Sequence, residues 1–305
     1  MKRTILYISL GIISLIPLCL LNCSREILFD IPPVEDAIVI NGLLVADSSL
    51  NLKISRTYNI GELPTDDNCN YIVVVETDQG EIEELTLSTD ITFRTSSKFH
   101  SGNIVSLKTY YKDNIIFACD TIPEKAIVKN IERIENVGID EEGIPFSQVI
   151  VSISDINSTN DFYEIKLSLL NPNNQGTIEL SPYSTEDPIL NNEGLPFFIS
   201  SAFPFSDRLF SEKNASIFIN YMTPKIYRND TIEEMFPNHS IIVEVRKTSY
   251  SYYQYRRTVL IQEMSKYPDF WNGMGSPISL YSNIDEGLGI LASYSSIIDT
   301  INYEE

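Results

Sequence analysis

The chain has 305 residues, of which 42 are Asp or Glu and 22 are Lys or Arg, so its formal net charge is −20. Binding to nucleic acid or to anionic lipid headgroups needs a basic surface, and this composition argues against both modes of attachment. The length is sufficient for two domains, each with its own hydrophobic core.

The first 22 residues have the form of a secretory signal. Two basic residues precede an apolar run from Ile5 to Leu21, which is followed by Cys23. A membrane-spanning helix needs about 20 predominantly apolar residues, and this run is marginal in length and contains a proline. We therefore expect residues 1–22 to be removed rather than to remain as a transmembrane helix.

The sequence Leu20-Leu21-Asn22-Cys23 resembles a lipobox, in which a peptidase cuts before a cysteine that has been acylated. Asn22 departs from the small residue that usually occupies this position. From the resemblance to a lipobox we predict lipidation of Cys23. The acyl chains would then attach the mature protein to the membrane, since each buried methylene contributes about 0.8 kcal/mol. An uncleaved anchor with an incidental cysteine is the alternative. Residues 23–36, which contain paired prolines, are expected to form the lipid anchor and a tether.

The segment 37–125 is predicted to form an immunoglobulin-like antiparallel sandwich. Short runs rich in β-branched and aromatic residues alternate there with turn residues, which is typical of such folds. The link to the next domain is expected at 123–125. The predicted strands are 37–45, 50–58, 71–77, 82–87, 91–95, 104–111 and 115–122.

The segment 126–305 is predicted to form a second β-rich domain that carries one helix. The helix is expected at 251–266, where Ser251 and Gln254 have the spacing of a capping box. Residues 171–213 contain several prolines and give no clear element. The predicted strands are 148–154, 162–170, 216–222 and 240–247.

Catalytic motifs are absent from the sequence. His100 and His239 are the only histidines, and no nucleophile elbow, zinc-protease motif or phosphate-binding glycine loop is present. We therefore expect a protein that is not an enzyme and that uses no cofactor and no metal.

One segment resembles the first half of a calcium-binding loop. Asp155, Asn157, Thr159 and Asp161 alternate as oxygen ligands do in such loops. The second half does not match, because the positions of the invariant Gly and the bidentate Glu are occupied by Asn160 and Lys166. The sequence favours an Asx-rich hairpin turn here.

Removal of the signal, which contains Cys19, and lipidation of Cys23 would leave two cysteines in the mature chain. A disulfide between Cys69 and Cys119 is permitted in an oxidising periplasm, and two free thiols are the alternative.

Aromatic residues cluster near position 200. Such residues usually fill a core, but exposed aromatic and Arg side chains also anchor partner proteins and sugars. If these side chains are not all core, we expect a partner surface formed by Phe197, Phe198, Phe203, Phe205, Arg208 and Phe210.

The C-terminal sequence PISLYSNIDEGLGILASY at 277–294 resembles the ending of domain-of-unknown-function family 4249 of Bacteroidetes lipoproteins. The strand at 37–45 and the helix that begins SYYQYRR support the resemblance. Its most specific part is Tyr281-Ser282-Asn283-Ile284 followed by Gly287 and Gly289. From the residues themselves we expect a turn, because glycine allows positive φ angles and close approach to a neighbouring strand.

The resemblance implies a location and a partner. Family members are commonly encoded beside TonB-dependent receptors, which implies an accessory of an outer-membrane nutrient transporter, facing the periplasm or the cell surface. The family carries no established catalytic residue or ligand. A stand-alone glycan-binding or adhesion lipoprotein is the alternative function.

Overall fold

Strands dominate the part of the chain that the computed structural model describes, which confirms the predicted mainly β fold. The structure describes residues 35–59, 71–89, 92–111, 114–141, 143–155, 160–170, 176–180, 187–195, 201–210, 214–223, 225–228, 231–234, 239–266 and 278–302. Residues 1–34, including the predicted signal, Cys23 and most of the tether, lie outside this description.

The first eight strands precede residue 122: β1 (Ile38–Val45), β2 (Asn51–Arg56), β3 (Val73–Thr77), β4 (Ile82–Glu84), β5 (Thr86–Thr89), β6 (Thr92–Arg94), β7 (Ile104–Tyr111) and β8 (Asn114–Thr121). The later strands are β9 (Ile127–Ile139), β10 (Pro145–Ser154), β11 (Phe162–Leu170), β12 (Thr177–Leu180), β13 (Ala202–Ser206), β14 (Asn214–Tyr221), β15 (Lys225–Arg228), β16 (Thr231–Glu234), β17 (Ser240–Thr248) and β18 (Leu288–Ile301). Helices are α1 (Pro188–Asn192), a 3-10 turn (Asp207–Leu209) and α2 (Tyr250–Ser265).

Two sheets share the first hydrophobic core. One runs in the order β18-β1-β2-β6-β5, and the other in the order β4-β3-β7-β8. Along β2, Leu52 and Ile54 are buried while Asn51 and Lys53 are exposed, as expected for a strand with one face in water. The predicted strand at 82–87 is two strands, because the chain leaves one sheet and joins the other at the buried Leu85.

The second core lies between the β12-β11-β17-β18 part of the long sheet and the three-stranded sheet β14-β10-β9. β13 also pairs with β11, beside β12. Val149 and Val151 of β10 meet Leu167 of β11 and Val243 of β17 in this core. Burial of such side chains is the main contribution to stability of each layer.

β18 joins the two cores. It pairs in parallel with β1 over Leu288–Tyr294 and antiparallel with β17 over Tyr294–Ile301. Ile122 belongs to the first core and Ala126 to the second, and the predicted link at 123–125 lies between them. One sheet nevertheless runs through both regions, and the chain from Asp36 to Glu305 forms one compact unit.

The C-terminal motif holds β18 in place and is not an isolated turn. Asn283 behaves like a strand partner, since its Oδ1 accepts from Leu291 N at 2.9 Å and its Nδ2 donates to Leu291 O at 2.8 Å. Gly289 lies within β18 with a φ of 105°, and a Cβ there would lie 2.0 Å from the carbonyl oxygen of Ile40. Glycine is therefore required where β18 approaches β1.

Among the described residues, no helix combines the length and the apolar character needed to cross a membrane.

Candidate functional site

Helix α2 brings several charged side chains onto the sheet, and its start differs from the prediction. The helix begins at Tyr250, and its cap is Ser249, whose Oγ accepts from Tyr252 N at 3.2 Å. Ser251, which we expected to cap the helix, is instead bonded through its Oγ to Asn283 Nδ2 at 3.1 Å. The predicted helix is thus confirmed, but its predicted capping box is wrong.

The first buried acidic group is Glu164 on β11, which has no exposed surface. Arg256 Nε donates to its Oε1 at 2.8 Å, and Arg246 Nη1 donates to its Oε2 at 2.9 Å. The hydroxyl of Tyr252 also donates to Oε2, at 2.7 Å. Because Arg246 also pairs with Glu244, two carboxylates face two guanidinium groups and the formal charges of this Glu164 network cancel.

A second pair of charges ties α2 to the end of α1. Glu193, directly after α1, is bonded to Arg257 of the helix and accepts from Tyr253 Oη at 2.6 Å. Its other oxygen accepts from the backbone N and the Oγ of Ser206 at 2.8 and 2.9 Å. Buried charges persist when they are paired and hydrogen-bonded in this way. Both arrangements therefore act as structural braces for α2.

The third acidic group differs from the first two because it consists of three aspartates. Asp155 follows β10, Asp161 precedes β11, and Asp207 begins the 3-10 turn after β13. The carboxylate oxygens of these three residues lie within 4.8 Å of one another. The backbone contributes to the arrangement, since Asp207 N donates to Asp161 O at 3.0 Å. We call these three residues the carboxylate pocket.

Two further side chains contact the carboxylate pocket. Lys247 of β17 forms an ion pair with Asp161, and its Nζ lies 5.8 Å from the ring centroid of Tyr163. Tyr163 is fully buried, packed between the rings of Phe205 and Phe210. Its hydroxyl lies close to the carboxylate of Asp155, which contributes to the raised pKa of the phenol.

The electrostatics of the pocket follow from burial and from repulsion among like charges. Burial raises the pKa of Asp161, although Lys247 acts in the opposite direction. Burial also raises the pKa of Asp207, and the charge of Asp155 adds to this effect. Burial and then the charges of all three aspartates raise the pKa of Tyr163, so its phenol stays protonated and lies in their field.

Oxygen-rich groups of this kind bind hard cations. Lys247 balances part of the charge of the carboxylate pocket, whereas two guanidinium groups balance the Glu164 network. Among the described residues, Asp155, Asp161 and Asp207 form the group whose oxygens lie close enough together to hold a metal ion.

The predicted partner surface requires correction. Phe205 is fully buried in the second core and Phe203 is 5% exposed against Leu195 and Leu260, so neither is available to a partner. Phe210 is half-buried on Tyr163, and Arg208 is exposed. Side chains on both faces of β13 are buried, since all five of its residues are buried, so this strand has no solvent-exposed face. Phe197 and Phe198 lie outside the described residues.

The other predicted residues lie apart from the carboxylate pocket. His100 is exposed and bonded to Asp47 at 2.8 Å, and His239 is buried before β17, where its Nε2 lies 3.0 Å from Arg133 Nη2. Cys119 has an exposed thiol on β8 and forms no disulfide with another described residue. Cys69 lies outside the described part, so the Cys69–Cys119 bridge stays a prediction.

Two of the three residues of the carboxylate pocket lie in a segment that the sequence singles out. Asp155 and Asp161 belong to the alternating segment that resembles a calcium loop, while Asn157 and Thr159 lie outside the described residues. Lys166, which fails the calcium-loop pattern, bonds to Glu179 at 2.6 Å, outside the pocket. The third carboxylate, Asp207, comes from a distant strand end, and no local spacing predicts it.

Comparison with known proteins assigns the chain to a family without a known activity. Residues 24–297 match the family described as domain of unknown function DUF4249, and the chain belongs to this family. No curated protein sequence matched the chain.

Two solved structures show only weak similarity. A DUF4785 family protein from Legionella pneumophila is 9% identical, with 69% of this chain and 52% of that chain covered and a TM-score of 0.24. The E. coli alpha-2-macroglobulin is 9% identical, with 88% of this chain and 16% of that chain covered and a TM-score of 0.20. The chain thus spans about half or less of the length of each.

Proposed function

We propose that this chain is a non-catalytic lipoprotein, anchored to the outer membrane through Cys23, that acts as an accessory of a TonB-dependent nutrient transporter. The observation that carries the proposal is the signal-like segment ending in Leu20-Leu21-Asn22-Cys23. Membership in the family adds the receptor context that the resemblance implies.

A structural use of the buried ionisable groups supports a non-catalytic role. Glu164 and Glu193 are buried, and each is bonded to an arginine and a tyrosine of α2, so both carboxylates hold the helix on the sheet. His239 is held by Arg133, which donates from Nη1 to its carbonyl at 2.8 Å. A general acid or base needs a reachable proton position, and these groups are occupied within the fold.

The anchor is tested by mass spectrometry of the N-terminus from native membranes. We expect Cys23 to be the first residue and to carry acyl chains, and Cys23→Ala to leave an uncleaved precursor or to release the body from the membrane. Cys119→Ala is the matched control, because its thiol is exposed on β8 and should not affect anchoring. An unmodified Cys23 preceded by residues 1–22 would contradict the proposal.

The partner is tested by affinity purification from native outer membranes. A TonB-dependent receptor should co-purify with the full chain in detergent and should be lost with Cys23→Ala if the anchor is needed to reach it. A chain that is recovered alone and binds polysaccharide would instead support the stand-alone glycan-binding alternative.

One face of the structure favours that alternative. On the outer side of β14-β10-β9, Phe218 is 39% exposed beside Ile150, and Gln148 Nε2 donates to Asn220 Oδ1 at 2.8 Å in the next row. An exposed aromatic ring near the half-buried amide of Gln148 suits a sugar, which needs both stacking and hydrogen bonds, whereas Asn220 is buried. If the alternative holds, Phe218→Ala should abolish polysaccharide binding, whereas Ile298→Ala on another exposed strand should not.

A further inference from the structure

We propose that one end of the sheet β4-β3-β7-β8 docks on the surface of a zwitterionic lipid bilayer through Ile72, Tyr110 and Ile115. We call these three residues the apolar row. The proposal rests on the acyl anchor at Cys23 proposed above, and it adds the face that the body turns toward the membrane.

The apolar row crosses three neighbouring strands on the outer face of this sheet. Tyr110 of β7 lies directly opposite Ile115 of β8. Ile72 directly precedes β3, and its carbonyl accepts from Thr109 Oγ1 at 2.9 Å, which places it on the other side of β7. Because Val73 and Thr109 pair and are both fully buried, their neighbours Ile72 and Tyr110 face outward together.

The three side chains of the apolar row are exposed to an unusual degree. Ile72 is 53% exposed, and Tyr110 and Ile115 are each 56% exposed. Single exposed apolar side chains are common, but adjoining ones form a patch of the kind that binds another surface. A tyrosine suits a membrane interface, because its ring is apolar while its hydroxyl stays in water.

The chain enters the body beside the apolar row. The hydroxyl of Tyr111, the neighbour of Tyr110, donates to Asp36 Oδ2 at 2.9 Å, and Asp36 is the first residue of the compact unit. Ala37 is fixed at the same end, since its N donates to Thr57 Oγ1 at 3.0 Å. The segment that leads back to the anchor therefore leaves the body at this end of the sheet.

The length of that segment limits how far this end can lie from the membrane. Residues 24–35 separate Asp36 from Cys23. A chain of this length spans about 20 Å as a flexible coil and at most about 45 Å when fully extended. An acylated Cys23 would thus hold the apolar row close to the bilayer.

Charge favours a zwitterionic lipid surface over other occupants. Two ion pairs lie beside the apolar row, with Lys108 Nζ 3.6 Å from Glu76 Oε2 and Arg56 Nη1 3.9 Å from Asp36 Oδ1. The chain as a whole carries −20, so anionic headgroups and a second copy of the chain would both be repelled. Apolar contact with uncharged lipid does not meet this repulsion.

The test places a fluorescent ring in the apolar row of the full, acylated chain in phosphatidylcholine vesicles. Tyr110→Trp should lose emission when the lipid acyl chains carry bromine, because bromine quenches a ring that reaches the boundary of headgroups and acyl chains. The emission of the native Trp271 is measured in the wild-type chain under the same conditions and subtracted.

Ile104→Trp is the matched control. Ile104 is 44% exposed on the same face of β7, about 20 Å from Tyr110 at the other end of the strand, and its variant should keep its emission. Melting temperatures show whether each variant folds. Ile115→Trp should lose emission like Tyr110→Trp, and it decides the question if Tyr110→Trp fails to fold.

Three results would overturn the proposal. One is an acylated chain in which neither Tyr110→Trp nor Ile115→Trp is quenched, or in which Ile104→Trp is quenched equally; the anchor would then stand without the docking. Another is an emission that changes only in native membranes that contain a receptor, which would assign the apolar row to a protein partner. The third is a Cys23 without acyl chains, shown by mass spectrometry of the same sample, which would remove the anchor and the docking together.

Discussion

Glu164 lies on β11 and Asp161 of the carboxylate pocket directly precedes this strand, yet the two groups differ in how their charge is balanced. In the first, two carboxylates meet two guanidinium groups and the phenol of Tyr252 donates as well. In the second, three carboxylates lie close together, and burial and the charge of Asp155 raise the pKa of Asp161 and Asp207. Paired charges dominate the first group, whereas repulsion between like charges is present in the second.

Two phenylalanines of β13 pack against different parts of the molecule. Phe205 stacks on Tyr163, with ring centroids 5.7 Å apart, and Phe203 packs on Leu260 of α2. Each change to Ala should cost about 3–5 kcal/mol of unfolding free energy, because it leaves a cavity. Chemical denaturation of both variants checks this, and a loss below about 1 kcal/mol in either variant would contradict the core position of that side chain.

A charge change tests whether the Glu164 network is purely structural. Glu164→Gln leaves Arg246 and Arg256 without their shared carboxylate and should cost about 3 kcal/mol of unfolding free energy. Glu179→Gln is the matched control, because Glu179 is an exposed partner of Lys166 and should cost less than about 1 kcal/mol. Chemical denaturation measures both, and equal losses would contradict the structural role of Glu164.

The pH dependence of stability gives a smaller effect with a definite sign. The pKa values of Asp161 and Asp207 are raised in the folded chain, so the folded state binds more protons than the unfolded state above the ordinary carboxyl pKa. Stability from these groups is therefore present at low pH and falls as pH rises through their folded pKa. Asp207→Asn should weaken this fall, as measured by melting temperature across the acid range. A fall of the same size in the variant would contradict the assignment.

The strands could be predicted because their side chains alternate. β7 and β11 begin and end where the sequence indicates, since each has one buried face and a polar or half-buried one. β9 was missed because it is an edge strand without a buried side chain, so its apolar residues follow no period. β18 was missed because its glycines indicate a turn, whereas Gly289 is needed for the approach to β1.

The candidate site shows a second limit of sequence reasoning. Asp155 and Asp161 are close in sequence and carry half of a calcium-loop pattern, but Asp207 reaches them only through the pairing of β13 with β11. The clustering of aromatic residues near position 200 is compatible with a core and with a partner surface, so the sequence alone does not place Phe203 and Phe205. The structure buries them because β13 lies between β11 and the helices.

The most direct test compares Glu164→Gln with Asp207→Asn by chemical denaturation at neutral pH. We expect Glu164→Gln to lose about 3 kcal/mol of unfolding free energy, because it leaves two guanidinium groups without their shared carboxylate. We expect Asp207→Asn to lose none, because it removes repulsion between like charges. Equal losses in the two variants would contradict the distinction between the paired and the crowded carboxylates.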